Sequence, residues 1–116
     1  MQIQRIEQND RRSRVVVFNN IAYLSGQFSE GTGDISEQTT EVLAKIDDLL
    51  ARVGTDKSRL LTAQIWLKTM DDFKAMNEVW DKWTVVDCKP TRCCGVVEMA
   101  YPNMRLEVVV SAAVLI

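Results

Sequence analysis

The chain contains no histidine. A Ser-His-Asp or Cys-His centre therefore cannot be built within it, and zinc chemistry loses its commonest nitrogen ligand, so no metal site is expected. Acid–base work would fall to a carboxylate, a thiol, a lysine, a tyrosine or a bound water. Cysteine is scarce: Cys88, Cys93 and Cys94 are an odd number without metal-type spacing. Cys93 and Cys94 are adjacent, so on a strand they point to opposite faces and should not bond to each other. Reduced thiols, and with them a cytoplasmic location, are the expectation. No apolar run approaches a membrane span, and Met1 to Arg14 lacks the apolar core of a signal peptide. A formal net charge of -2 gives no general attraction to nucleic acid or anionic membrane. There is no phosphate-binding glycine loop, Walker motif or dinucleotide fingerprint. There is also no repeat or linker, and 116 residues fit one domain spanning 1–116.

What is present reads as alternating strands and helices. Val15 to Phe18 and Ile21 to Leu24 flank Asn19-Asn20 as a hairpin, since Asn tolerates the positive φ of a two-residue turn. Gly31 and Gly33 punctuate the loop after Ser25-Gly26-Gln27. Asp34 with Glu37 has the spacing of a capping box. Ile35, Val42, Leu43, Ile46, Leu49, Leu50 and Val53 then form one helical stripe, stopped at Gly54. Leu60 to Leu67 reads as a strand. Asp71 or Asp72 opens a second helix with Phe73, Met76, Trp80 and Trp83 on one face, a stripe expected to be core or interface. Arg92 to Met99 and Leu106 to Leu115 read as strands around a Pro102-Asn103 turn.

This β-β-α-β-α-β-β order predicts an α+β fold whose two helices cover one face of a sheet. Val15-Val16-Val17 and Val108-Val109-Val110 are nevertheless apolar on both sides of the pleat. Such strands call for both faces to be buried, so the second face is expected to meet another subunit.

Several residues could carry chemistry. Arg92 follows Lys89-Pro90-Thr91 at a strand start and shares a face with Cys94. Its planar guanidinium suits two parallel hydrogen bonds to a carboxylate, although an isolated strand-end arginine is more often simply solvated. Glu107 lies inside Leu106-Glu107-Val108-Val109-Val110, where burial would raise its pKa and make it a base; an edge-strand glutamate facing water is the bland alternative. Glu98 is a rival because its parity matches Arg92 and Cys94. Cys94 could be a nucleophile, but without a histidine to activate it a small packing residue is the plainer reading. Ser25, ahead of Gly26, could present a hydroxyl and backbone N–H groups to a ligand, or be an ordinary turn serine. Asn77 is either a polar pin between helix and loop or exposed. Arg11, Arg12 and Arg14 read as a solvated patch.

Taken together the residues resemble the Rid family (reactive intermediate deaminases, YjgF-like). The likeness is carried by Tyr23-Leu24-Ser25-Gly26-Gln27, Asp72-Phe73 with Met76-Asn77, Pro90-Thr91-Arg92-Cys93-Cys94, and Arg105-Leu106-Glu107 with the apolar strand after it. The resemblance implies a chorismate-mutase-like fold of the bacillus type. It implies a homotrimer with a central sheet barrel and clefts between subunits. It also implies hydrolytic deamination of reactive 2-imino acids and enamines, such as 2-aminoacrylate, to 2-oxo acids and ammonia. On this resemblance Arg92 binds the substrate carboxylate, Cys94 lines the cleft and Glu107 activates water, while Ser25, Gly26 and Asn77 complete the binding site. Many members carry a Gly-Pro-Tyr near the N-terminus; here Arg12 stands in the tyrosine's place, which marks a divergent subgroup.

The implied chemistry requires no cofactor. Arg92 would orient the imine carbon, and Glu107 would deprotonate the attacking water and return the proton to departing ammonia. Backbone groups near Cys94, together with Ser25, could position the intermediate. The rival from another class is a non-catalytic trimer that binds 2-oxo acids in the same cleft as a sensor or chaperone. A third reading is a nuclease acting on RNA, against which the missing histidine and the net acidity count.

Overall fold

The computed structural model describes residues 2–115; Met1 and Ile116, the ends of the expected 1–116 domain, lie outside the described residues. The hairpin forms where the paired asparagines predict it. Asn19 and Asn20 have φ of 55° and 64°, the left-handed pair of a tight two-residue turn. They join β2 (Val15–Phe18) to β3 (Ile21–Leu24). A three-residue strand β1 (Gln4–Ile6), which apolar periodicity did not reveal, pairs antiparallel with β2.

Helix α1 (Ile35–Arg52) begins at the expected capping box. Asp34 Oδ1 accepts from Glu37 N at 2.9 Å, and Glu37 Oε1 accepts from Asp34 N at 3.2 Å. Such caps contribute roughly 1 kcal/mol. At the other end Gly54 takes φ +79°. Gly54 N bonds Ala51 O and Thr55 N bonds Leu50 O, the reciprocal pair of a Schellman stop. The predicted stripe is buried from Ile35 to Leu50, with Val53 packed at its end.

Strand β4 (Leu60–Leu67) illustrates why parity alone is insufficient. The register runs from Leu60↔Ala112 to Thr62↔Ser111, which leaves Leu61 as an extra residue. This bulge allows both Leu60 and Ala63 to face the helices. Ile65 and Leu67 follow on that face opposite Val108 and Leu106. Helix α2 (Phe73–Trp83) is entered through a single 3₁₀ turn, Met70–Asp72. Thr69 caps that turn through Asp71 N, while Asp72 turns its carboxylate inward to Arg105. Met76 and Trp80 are buried, and Trp83 is half-buried with its indole N–H donating to Asp47 at 3.0 Å.

Strands β5 (Thr91–Val96) and β6 (Leu106–Ala113) are shorter than their apolar patterns predict. The reason is loss of partners. Strand β5 pairs only with β4, which ends at Leu67. Beyond Ala113, β6 has outrun β3 and β4. The sheet order is β1-β2-β3-β6-β4-β5, antiparallel except for the β4–β5 pair. Both helices lie on the face carrying Val15, Ala22, Leu24, Ala63, Ile65, Val108 and Val110. The opposite face keeps Val16, Tyr23, Trp66 and Val109 half-buried or exposed, and among the described residues no other element covers it.

Candidate active site

Arg92 is the second residue of β5, at the sheet edge, and pairs with Ala63. Ala63 is buried beneath the helices, so Arg92 leaves the sheet on the helix side. Helix α2 receives it. Asn77 and Trp80 lie one turn apart on one helix face. Arg92 Nη1 donates to Asn77 Oδ1 at 2.7 Å, and Arg92 Cζ stands 5.7 Å from the Trp80 ring centroid. The guanidinium is thus fixed from two sides by an uncharged amide and an aromatic face. Among the described residues no carboxylate lies within ion-pair distance of it. Its side chain remains exposed, and its charge remains available to a ligand.

Cys94, opposite Ile65, points the same way and is half-buried against the core. Burial pushes its thiol pKa up, against the pull of the Arg92 charge, so the neutral thiol dominates near pH 7. A protonated thiol is a cleft wall and weak donor rather than a nucleophile.

A second cluster forms after β3. Gln27 N donates to Val108 O at 2.9 Å and Val108 N to Gln27 O at 3.0 Å, an isolated bridge that lays Ser25-Gly26 against β6. Glu107 consequently rests on Gly26, where a Cβ would overlap its Oε2. Ser25 Oγ donates to Arg14 O at 3.2 Å and accepts from Gln27 Nε2 at 3.3 Å, so the hydroxyl is tied into the loop. A cavity of about 130 Å3 opens here, its lining including Arg12, Ser25, Gly26 and Lys45.

The two clusters do not meet within one chain. Glu107 pairs with Trp66, and Trp66 pairs with Gly95. Glu107 therefore faces the open side of the sheet, with Cys93 and Gly95, while Arg92 and Cys94 face the helices. The sequence-derived site is accordingly two halves: Arg92, Cys94 and Asn77 on one side, Ser25, Gly26 and Glu107 on the other.

Glu98 does not share the Arg92 site. Strand β5 ends at Val96, so the alternation that paired Glu98 with Arg92 stops before reaching it. Glu98 is exposed in the following loop beside Lys68, Val97 and Pro102. Sequence reasoning also placed Trp80 only in a packing stripe, where it additionally supports Arg92. Lys45 was not singled out, although its position beside Val42 and Leu49 on the stripe's flank was legible from helical spacing.

Comparison with known proteins gives concordant matches. The family model Endoribonuclease L-PSP matches residues 2–114. A RutC family protein of Haemophilus influenzae is 43% identical over 114 residues, covering 97% of this chain and 98% of that protein. The crystal structure of NMB1025, a YjgF family member from Neisseria meningitidis, superposes with a TM-score of 0.97 at 37% identity, covering 100% of this chain and 98% of that one. YyfA of Yersinia pestis, a Rid family protein, gives 0.86 at 25% identity, covering 92% and 90% respectively.

Proposed function

The chain belongs to the YjgF/Rid/RutC family, which the L-PSP family model describes, and on that premise we propose that it hydrolyses reactive 2-imino acids and enamines to 2-oxo acids and ammonia. The observation that carries this reading is the Arg92 guanidinium, held by Asn77 and Trp80 yet without a carboxylate partner among the described residues. A planar cation fixed from behind and open in front suits a small organic acid.

The reaction needs only water as co-reactant. An enamine such as 2-aminoacrylate tautomerises to its imine. Arg92 holds the carboxylate and thereby orients the imine carbon. With the imine nitrogen already protonated from solvent, Glu107 takes a proton from water as the oxygen bonds to that carbon, and the C=N π pair moves onto nitrogen to give the neutral carbinolamine. The carbinolamine then collapses: the Glu107 carboxyl gives its proton to the amino group, the C–N bond breaks as C=O forms, ammonia leaves, and the hydroxyl proton passes to the Glu107 carboxylate. Ser25, Gly26 and the neutral Cys94 line the cleft, and no covalent enzyme intermediate is required. The imine hydrolyses slowly unaided, so positioning and one base are a sufficient contribution.

Arg92 and Glu107 lie on opposite faces of one sheet, so the proposal requires the Arg92 half of one copy to face the Glu107 half of another. A homotrimer whose open sheet faces form a shared core meets that requirement. It also covers Val16, Tyr23 and Val109, which a lone chain leaves in contact with water.

The test uses imines generated in situ by an amino-acid oxidase, with ammonia release followed with and without protein. Wild type should accelerate release. Arg92→Ala should abolish both the acceleration and 2-oxo acid binding, and Arg92→Lys, which lacks the bidentate fork, should recover little. Imine hydrolysis by Arg92→Ala at the wild-type rate would sink the assignment. Ligand binding without acceleration by wild type would favour the non-catalytic sensor.

A further inference from the structure

Beside Gly26 and Glu107 the surface gathers three cations. The cavity of about 130 Å3 is lined by Arg12, Arg14 and Lys45 and by one carboxylate, Glu30, while Glu107 rests on Gly26 at its wall. Arg12 Nη1 donates to Glu7 O at 3.1 Å and Lys45 Nζ to Phe28 O at 2.7 Å, so both partners are neutral carbonyls. Among the described residues, neither cation is within ion-pair distance of a carboxylate. Arg14 Nε lies 3.7 Å from Glu7 Oε2, a carboxylate that Arg52 also engages. That Nε is shut off from solvent with no hydrogen-bond partner among the described residues. A net charge of -2 for the whole chain makes this local excess a feature of the cavity rather than of the protein.

We propose that this cavity receives a second carboxylate, carried on the substrate's side chain, so that the preferred substrates are imines of acidic 2-amino acids. The inference rests on the deaminase reading and specifies its substrate class. Arg92 of a neighbouring copy takes the carboxylate beside the imine carbon, and Glu107 faces that carbon. Arg12, Arg14 and Lys45 hold the distal carboxylate. The cavity opens to solvent and has room for a carboxylate and its neighbouring methylene.

The experiment compares 2-iminoglutarate with 2-iminopentanoate, which has the same chain length without the distal charge. Both are generated in situ by oxidases from glutamate and norvaline, and imine loss is followed by semicarbazide trapping. Wild-type kcat/KM should favour 2-iminoglutarate by about tenfold or more, and Arg12→Gln and Lys45→Gln should each shrink that ratio several-fold. In parallel, 2-oxoglutarate and 2-oxopentanoate are titrated calorimetrically into the same proteins, where the same order and the same loss are expected. Equal kcat/KM values in wild type, or a ratio that neither variant changes, overturn the proposal. If neither imine is accelerated while 2-aminoacrylate is, the substrate proposal falls and the deaminase reading stands; if 2-aminoacrylate is not accelerated either, the deaminase reading fails by itself, and calorimetry then decides the subsite. Tighter, Arg12-dependent binding of 2-oxoglutarate upholds it; equal binding of the two oxo acids overturns it. If the oxo acids bind alike while Arg12→Gln weakens a single-stranded RNA oligonucleotide, the cations are phosphate contacts and the proposal falls.

Discussion

Gly26 and Glu107 act as a pair in which the absent side chain of one makes room for the carboxylate of the other. The backbone at Gly26 is not in the left-handed region, so alanine meets no conformational barrier there. The obstacle is the Glu107 carboxylate, which occupies the space a Cβ needs but ends a flexible side chain. Gly26→Ala should therefore keep the wild-type melting temperature to within a few degrees while rotating Glu107 away. Turnover should fall by about 10²-fold or more, as Glu107→Gln should also achieve with ligand binding retained. Wild-type turnover in both variants would remove Glu107 from the reaction. Cys94 supplies a second residue-scale expectation. Its thiol pKa is raised by burial, so its thiolate fraction near pH 7 is smaller than an ordinary cysteine's and grows only as pH climbs past the usual thiol range. In a Cys88→Ser/Cys93→Ser background, alkylation of Cys94 followed by mass spectrometry should lag a free thiol at pH 7. The gap should persist through the ordinary thiol range and narrow only as pH climbs beyond it.

Among the elements, the start of α2 and the start of β6 are joined by one ion pair. Asp72 is 5% exposed and receives Arg105 Nη2 at 2.8 Å and Nε at 3.1 Å. The backbone N–H of Arg105 donates to Gln38 Oε1 at 2.9 Å, which extends the tie to α1. Because α2 carries Asn77 and Trp80 while β6 carries Glu107, this junction sets where both half-sites stand. Arg105→Ala would leave a buried carboxylate without its cation. Breaking a fully buried pair costs about 3–5 kcal/mol; here Arg105 is 40% open to solvent, so about 2 kcal/mol is expected. Urea denaturation should show the loss as a lowered midpoint at unchanged slope. An unaltered midpoint would mean the pair contributes nothing to the fold.

At the scale of the whole molecule, the sheet has one face under helices and another that the chain leaves open. Val109 lies on that second face between Glu107 and Ser111, half-buried even without a partner. In the proposed trimer it is core. Val109→Lys would place an unpaired ammonium there, a cost of several kcal/mol in the assembly and little in an isolated chain. Sizing and sedimentation should show trimer in wild type and monomer in Val109→Lys, with imine hydrolysis lost together with assembly because each proposed cleft needs two chains. A monodisperse wild-type monomer at micromolar concentration, or a fully active monomeric variant, would refute the shared site. Among the described residues no helix is long and apolar enough to cross a membrane.

Local chemistry was enough to determine the asparagine turn, the Asp34–Glu37 cap, the Gly54 stop and the buried stripes of both helices, because each depends on residues a few positions apart. It also placed Arg92 with Cys94, since parity within one strand is a local property. The short β1 was not legible: three mostly exposed residues carry no apolar alternation, and only pairing with β2 makes them a strand. The ends of β5 and β6 were likewise decided by where their neighbours stop. The relation of Arg92 to Glu107 was a tertiary decision. It follows from the parallel β4–β5 register and the β4–β6 register, which link residues far apart in the chain. Those pairings put the two candidate groups on opposite sides of one sheet, because hydrogen-bond register between strands, unlike alternation along one strand, is settled only when the whole sheet assembles.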